Sequence, residues 1–231
     1  MKPLNYTIIR RTRRKTVSIV VRPDKTVQIV VPAALSENEI ARIAERKRRW
    51  IVAKLGELGN CDFEPVEHLY LDGEFFLFMG KQYRLTVADG RGRVNISGNR
   101  IETTVPAGLT GDDRRKYLQE RLVHFFVAQA LEILRKKSCD FGSRYGFEPP
   151  FVGIKNYTSR WGCCFGDGRI YFNWKIIMAP ERIIDYVVIH ELCHLREPNH
   201  SWKYWAVVEK IMPDWKERRI WLRRNGHSLT F

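Results

Sequence analysis

His190-Glu191-Leu192-Cys193-His194, with His200 six residues further on, places three imidazoles and one carboxylate where they can grip a metal ion and direct water at a bond. On a helix, residues i and i+4 lie one above the other, so His190 and His194 present their rings on one face. Glu191 sits beside them as a general base, which takes the proton of the attacking water and passes it to the leaving group. Zinc makes this feasible near neutral pH, because bound Zn²⁺ lowers the pKa of its water to about 7. A catalytic zinc keeps three protein ligands and one open position, so a third ligand is required. His200 is preferred, since Pro198 and Asn199 should end the helix and turn the chain back toward the ion. Glu209 and Asp214, carboxylates further along, are the alternatives. The expected cofactor is one zinc ion per chain, and the first function class is a metal-dependent hydrolase.

Several elements must hold these groups in place. Pro180-Glu181 reads as a helix start, and Ile183, Ile184, Val187, Val188 and Leu192 give that helix an apolar face behind the histidines. Cys193 projects elsewhere and reads as a small core residue. From Asp112 to about Lys137 the pattern is again helical, acidic at its start and basic at its end as the helix dipole favours. Leu118, Leu122, Phe125, Phe126, Ala128, Ala130, Leu131 and Leu134 on this helix are expected to pack against the metal-binding helix. His124 on it reads as a hydrogen-bonded or surface residue. Residues 151–178 read as strands joined by a Gly166-Asp167-Gly168 turn.

The run Thr158-Ser159-Arg160-Trp161-Gly162-Cys163-Cys164, then Tyr171-Phe172-Asn173-Trp174, then Asp185-Tyr186-Val187-Val188 leading into the histidine pair and Asn199-His200-Ser201, resembles the YgjP-like metallopeptidase family, relatives of the SprT-like zincins. The likeness extends to Arg13-Arg14-Lys15-Thr16, expected as a strand motif, and to the closing Trp221-Leu222-Arg223-Arg224-Asn225-Gly226, so it spans nearly the whole chain. It implies a zincin-type domain in the C-terminal half with His190, His194 and His200 as ligands and Glu191 as general base. Cys163 stands where the family tends to have Ser. Metzincins, whose ligand spacing this chain shares, usually carry Gly where it has Glu197. The resemblance covers both proteolysis and a nucleoside triphosphate pyrophosphatase activity. In zincins an edge strand beside the metal pairs with an extended peptide, and Arg169 to Trp174 is the expected edge. Arg160 and Asn173 are candidate catalytic residues, an oxyanion donor and a substrate-orienting amide; the competing reading is that both only tie loops together.

The N-terminal part reads differently. Thr16–Val21 and Thr26–Val31 form a hairpin pattern around Arg22-Pro23-Asp24-Lys25, Ser36 with Glu39 opens a helix to about Leu58, and glycines punctuate a strand-like stretch over 68–105. The expected architecture is therefore α+β: a small β-rich region with one basic helix over 1–107, then a zincin-like catalytic domain with active-site helix and antiparallel sheet over 108–231. Met1 to Asn5 carries no signal-peptide pattern and no apolar run reaches a membrane span, so a cytoplasmic protein without a membrane partner is expected. Five cysteines, at 61, 139, 163, 164 and 193, lack the spacing of a structural zinc site and read as buried free thiols.

Forty Lys and Arg against 26 Asp and Glu give a net charge of +14, clustered at Arg10–Lys15, Arg46–Arg49 beside Trp50, and Lys216–Arg224 around Trp215 and Trp221. Such a surface attracts polyanions, which leaves a nucleic acid or a nucleotide open as a partner beside the expected polypeptide substrate. No helix-turn-helix, zinc-finger or RNP signature accompanies it, and Trp215 and Trp221 also fit the core side of a terminal helix. Three function classes remain: a zinc peptidase, a phosphoanhydride hydrolase using the same site, and a nucleic-acid-associated protein with a structural metal.

Overall fold

The computed structural model describes residues 4–22, 25–58 and 67–231. Two compact units divide the chain, 1–65 and 66–231.

In the first unit, β1 (Thr7–Arg11), β2 (Ser18–Val21) and β3 (Val27–Pro32) form a sheet in the order β1-β3-β2. Alternation along β3 turns Val27, Ile29 and Val31 into the core. β2 and β3 are antiparallel, Ser18 opposite Val30 and Val21 opposite Val27, which is the expected hairpin; Pro23 and Asp24 of its turn, like Cys61, lie outside the described residues. Arg13–Thr16 lies in the connection between β1 and β2 rather than in a strand, and there Arg14 Nε donates to the Thr16 carbonyl at 2.7 Å. The Ser36–Glu39 capping box opens α1 (Glu37–Arg46), whose Ile40 and Ala44 join Ile29 and Val31 in the core. The helix expected to reach Leu58 breaks at Lys47, which leaves helical geometry at φ −98° and ψ 3°, and a second helix, α2 (Arg48–Leu58), follows.

In the second unit, β4 (Phe75–Phe78), β5 (Lys81–Asp89), β6 (Asn95–Ser97) and β7 (Arg100–Val105) form a sheet ordered β4-β5-β7-β6, parallel between β5 and β7. These strands belong with the helices that follow them, so the units part at 65/66 and not at 107/108. The hairpin tip between β4 and β5 explains why. Met79 (φ 50°) and Gly80 (φ 75°) make a two-residue turn, and their N–H groups donate to the carbonyls of Ile177 at 2.7 Å and Met178 at 3.1 Å. A Cβ on Gly80 would come within 2.7 Å of Pro180 Cα, so glycine lets the tip reach the chain just ahead of the histidine-bearing helix.

α3 (Gly111–Tyr145) runs 35 residues, two turns beyond the expected end, and stops where Gly146 takes the left-handed conformation (φ 72°, ψ 45°). Its fully buried line Leu118, Leu122, Phe126, Ala130 and Leu134 has a spacing of four and forms the core side of the helix, which packs on α4 (Glu181–Cys193). Between them, β8 (Val152–Lys155), β9 (Gly162–Cys164) and β10 (Ile170–Asn173) form a sheet ordered β8-β10-β9. Trp174–Met178 is a 3₁₀ turn instead of strand; Ile176, Ile177 and Met178 are all buried, and a continuous apolar run has no period to separate strand from buried turn. α5 (Trp202–Ile211) and α6 (Trp215–Asn225) complete the unit, with Trp215 and Trp221 buried. No helix among the described residues is long and apolar enough to cross a membrane.

Candidate active site

α4 carries His190 on its last turn and ends at His194, its C-cap. Behind the histidines Ile183, Ile184, Val187, Val188 and Leu192 are buried, so this face is anchored in the core and the imidazoles emerge at the helix end. The chain turns back at once: Glu197 N–H donates to the Cys193 carbonyl at 3.1 Å, and His200 returns to place Nε2 3.0 Å from His190 Nε2. Glu197 has no positive φ, so this turn does not require the glycine that metzincins carry. One nitrogen from each of His190, His194 and His200 lies within 4.8 Å of the others. Glu209 and Asp214 stand apart, paired with Lys216 (3.4 Å) and Arg218 (2.9 Å), and His124 lines a different cavity with Arg121 and Phe125.

The electrostatics suit a cation. Burial pushes His190 down to about 3, helped by the charges that His194, His200 and Arg219 present to it. His194 is lowered by burial against two carbonyls that raise it, and His200 by burial and then by His194 and Arg219. Each shift favours the neutral imidazole, the form that offers a lone pair to a metal. His194 Nδ1 lies 3.1 Å from the Glu197 carbonyl; a proton donated there leaves Nε2 free to ligate. Tyr204 stacks on His194 at 4.5 Å and donates its hydroxyl to the His190 carbonyl at 2.9 Å, while Trp205 stacks on His200 at 5.6 Å. Three imidazoles held by such partners fit a zinc ion with one position left open.

Glu191 is 5% exposed, and burial pushes its carboxyl up to about 8 against the Cys164 backbone N–H and the Arg160 charge, which favour ionisation. It faces β9. An ideal Cβ on Gly162 would lie 2.6 Å from Glu191 Cγ and Oε1, so only glycine lets this strand run against the carboxylate. A cleft of about 380 Å³ opens here, walled by Arg160 to Cys164, Tyr186, Glu191, the three histidines and Leu222. A second cavity of about 300 Å³ shares Cys164, His194 and Pro198 with it and extends past Phe165 and Arg196.

Arg160 thus reaches the cleft as expected, but Asn173 does not line it. Its amide is buried, with Nδ2 donating to the carbonyls of Tyr157 (2.8 Å) and Arg160 (3.4 Å) and Oδ1 accepting from Lys175 N–H, so it ties down the loop that carries Arg160. Arg169 to Trp174 is not the expected edge: β10 is paired on both sides, parallel to β8 and antiparallel to β9, which leaves β9 as the outer strand beside the carboxylate. Of the described cysteines only Cys193 is buried; Cys139 is exposed, and Cys163 and Cys164 help wall the cleft. Gly162, Tyr204, Trp205 and Arg219 escaped the sequence reading. For Tyr204 and Trp205 the available signal was an aromatic pair one turn beyond His200.

An α+β unit that sets a His-Glu-x-x-His helix against a short sheet and closes the set with a third histidine is a zincin-like metallopeptidase domain. Residues 15–225 match the YgjP-like metallopeptidase domain, and the chain belongs to that family. The metallopeptidase zymogen abylysin of Pyrococcus abyssi is 28% identical to it, with 40% of this chain and 97% of that one covered and a TM-score of 0.36. No curated protein matches the sequence.

Proposed function

We propose that this metal-dependent peptidase is a zinc endopeptidase in which His190, His194 and His200 hold the ion and Glu191 is the general base. The observation that carries the reading is the convergence of three imidazole nitrogens within 4.8 Å, in one cleft with a buried carboxylate. When bound, zinc supplies Lewis acidity to the scissile carbonyl and to the attacking water. Glu191, ionised when a dication beside it offsets the effect of its burial, takes the proton of that water and delivers it to the departing amine. Backbone groups on the outer edge of β9, other than the Cys164 N–H that Glu191 takes, pair with an extended peptide and set its carbonyl over the histidines. Arg160 faces the substrate from the Glu191 side, on a loop that Asn173 positions.

The test compares wild type, Glu191→Gln and His200→Ala for zinc content and for hydrolysis of an unstructured protein and of nucleoside triphosphates. About one zinc per chain is expected in wild type and Glu191→Gln, with a clear loss in His200→Ala. Peptide cleavage should fall about 10²–10⁴-fold in Glu191→Gln. Triphosphate cleavage alone would replace peptidase with phosphoanhydride hydrolase, and zinc without either activity would make the metal structural.

A further inference from the structure

The cleft contains one carboxylate, Glu191, and one guanidinium, Arg160, and Arg219 stands beside it on α6. Arg160 is exposed on one wall, its Nη1 3.5 Å from Cys163 Sγ and its guanidinium 5.6 Å from the Tyr157 ring centroid. Arg219 lies on α6 one turn before Leu222, which lines the cleft, and its guanidinium is 4.9 Å from the centroid of Trp205, the ring stacked on His200. Neither is ion-paired to an acid among the described residues. The adjoining cavity past Phe165 contains Arg196 and no carboxylate. Asp167 nearby is bound to Arg169 at 2.6 Å.

We propose that the substrate is an acidic polypeptide segment, and that Arg160 and Arg219 receive carboxylates from it on the two flanks of the bond to be cut. This rests on the peptidase reading and deepens it. An extended chain on the β9 edge alternates its side chains, so residues on either side of the reacting carbonyl meet different walls. A guanidinium offers paired donors to a carboxylate, and stacking on an aromatic ring pre-orients Arg219 for that contact. A Lys-rich segment in the same groove would face two unpaired cations and a bound dication, so the site also rejects basic sequences.

Three fluorescent peptides of one sequence, carrying Glu, Gln or Lys at the positions flanking the cut, test this. Binding is read by anisotropy on zinc-loaded Glu191→Gln protein, which cannot turn the peptides over, and cleavage on wild type. The expected result is binding of the Glu peptide about tenfold tighter than the Gln peptide, with the Lys peptide weakest. Arg160→Gln and Arg219→Gln, each built into Glu191→Gln, should both bring the Glu/Gln ratio toward one, and Arg→Lys should restore part of it. Both side chains are exposed, and a far-ultraviolet spectrum checks that the fold is kept. Equal binding of the three peptides, or a preference that survives both substitutions, overturns the proposal. Cleavage of the Gln peptide by wild type in that case leaves the peptidase reading standing. Selective binding with no cleavage of any peptide sinks the peptidase reading instead.

Discussion

Glu191 owes its position to a residue with no side chain. Gly162 lies on β9 where a methyl group would overlap the Glu191 carboxyl stem at 2.6 Å, and the same strand offers the Cys164 N–H to the carboxylate. Gly162→Ala should leave the histidines and zinc content intact while pushing the carboxylate off its line. Displacing a general base by about 1 Å costs on the order of 10² in rate. Steady-state kinetics beside zinc analysis checks this, and unchanged kcat in a correctly folded variant would mean that Glu191 does not act from the position seen. Asn173 illustrates the opposite case. Its type and place suggested a group that meets substrate, yet its amide is spent on backbone carbonyls of the 157–160 loop, which no motif shows.

At the level of elements, α4 is braced by α3. Lys137 Nζ lies 2.7 Å from both Glu181 Oε1 and Asp185 Oδ1, joining the two helices two turns ahead of the histidines. Lys137→Met should destabilise the protein by about 1 kcal/mol near pH 7, chiefly through the half-buried Asp185, since the Glu181 side chain is 61% exposed and solvent screens that pair. The Lys137 ammonium holds the Glu181 carboxyl below its ordinary 4.5. Glu181's share of the stability is therefore fully present above pH 4.5 and is lost as pH falls through its lowered folded value. Urea unfolding of both proteins at pH 7 and at pH 3 should give a gap that narrows in acid, and a gap that widens would mean the brace is not ionic.

Over the whole molecule, charge governs encounter more than chemistry. With a net charge of +14, and with Arg160 on the cleft wall and Arg219 beside it, the proposed acidic peptide would be drawn in from a distance that salt shortens, from about 10 Å at 0.1 M to about 3 Å at 1 M. Raising ionic strength should lower kcat/KM for the Glu peptide steeply and leave its kcat nearly constant, while the Gln peptide changes little. Salt series on both peptides check it, and parallel declines would assign the effect to the fold or the metal. The basic helix of 215–225 contributes to this field without being an aromatic stacking surface, because Trp215 and Trp221 face the core.

What can be read from one chain is whatever depends on near neighbours. The i, i+4 histidines, the return to His200 after Pro198, the Ser36–Glu39 cap and the Gly166–Gly168 turn are set by local geometry and spacing, and each stands in the structure as read. Strand order is not local: which of β9 and β10 has a free edge depends on where β8 inserts, and a period of two is the same for a central and an outer strand. The extent of the catalytic unit was hidden for the same reason, since the 75–105 strands join it through backbone hydrogen bonds from Met79 and Gly80 to residues nearly 100 positions away. The clustering of the three histidines beside Glu191 and the place of Arg160 were therefore legible in the sequence, whereas the unpaired edge of β9 and the stacking of Arg219 on Trp205 were decided only when distant segments packed together.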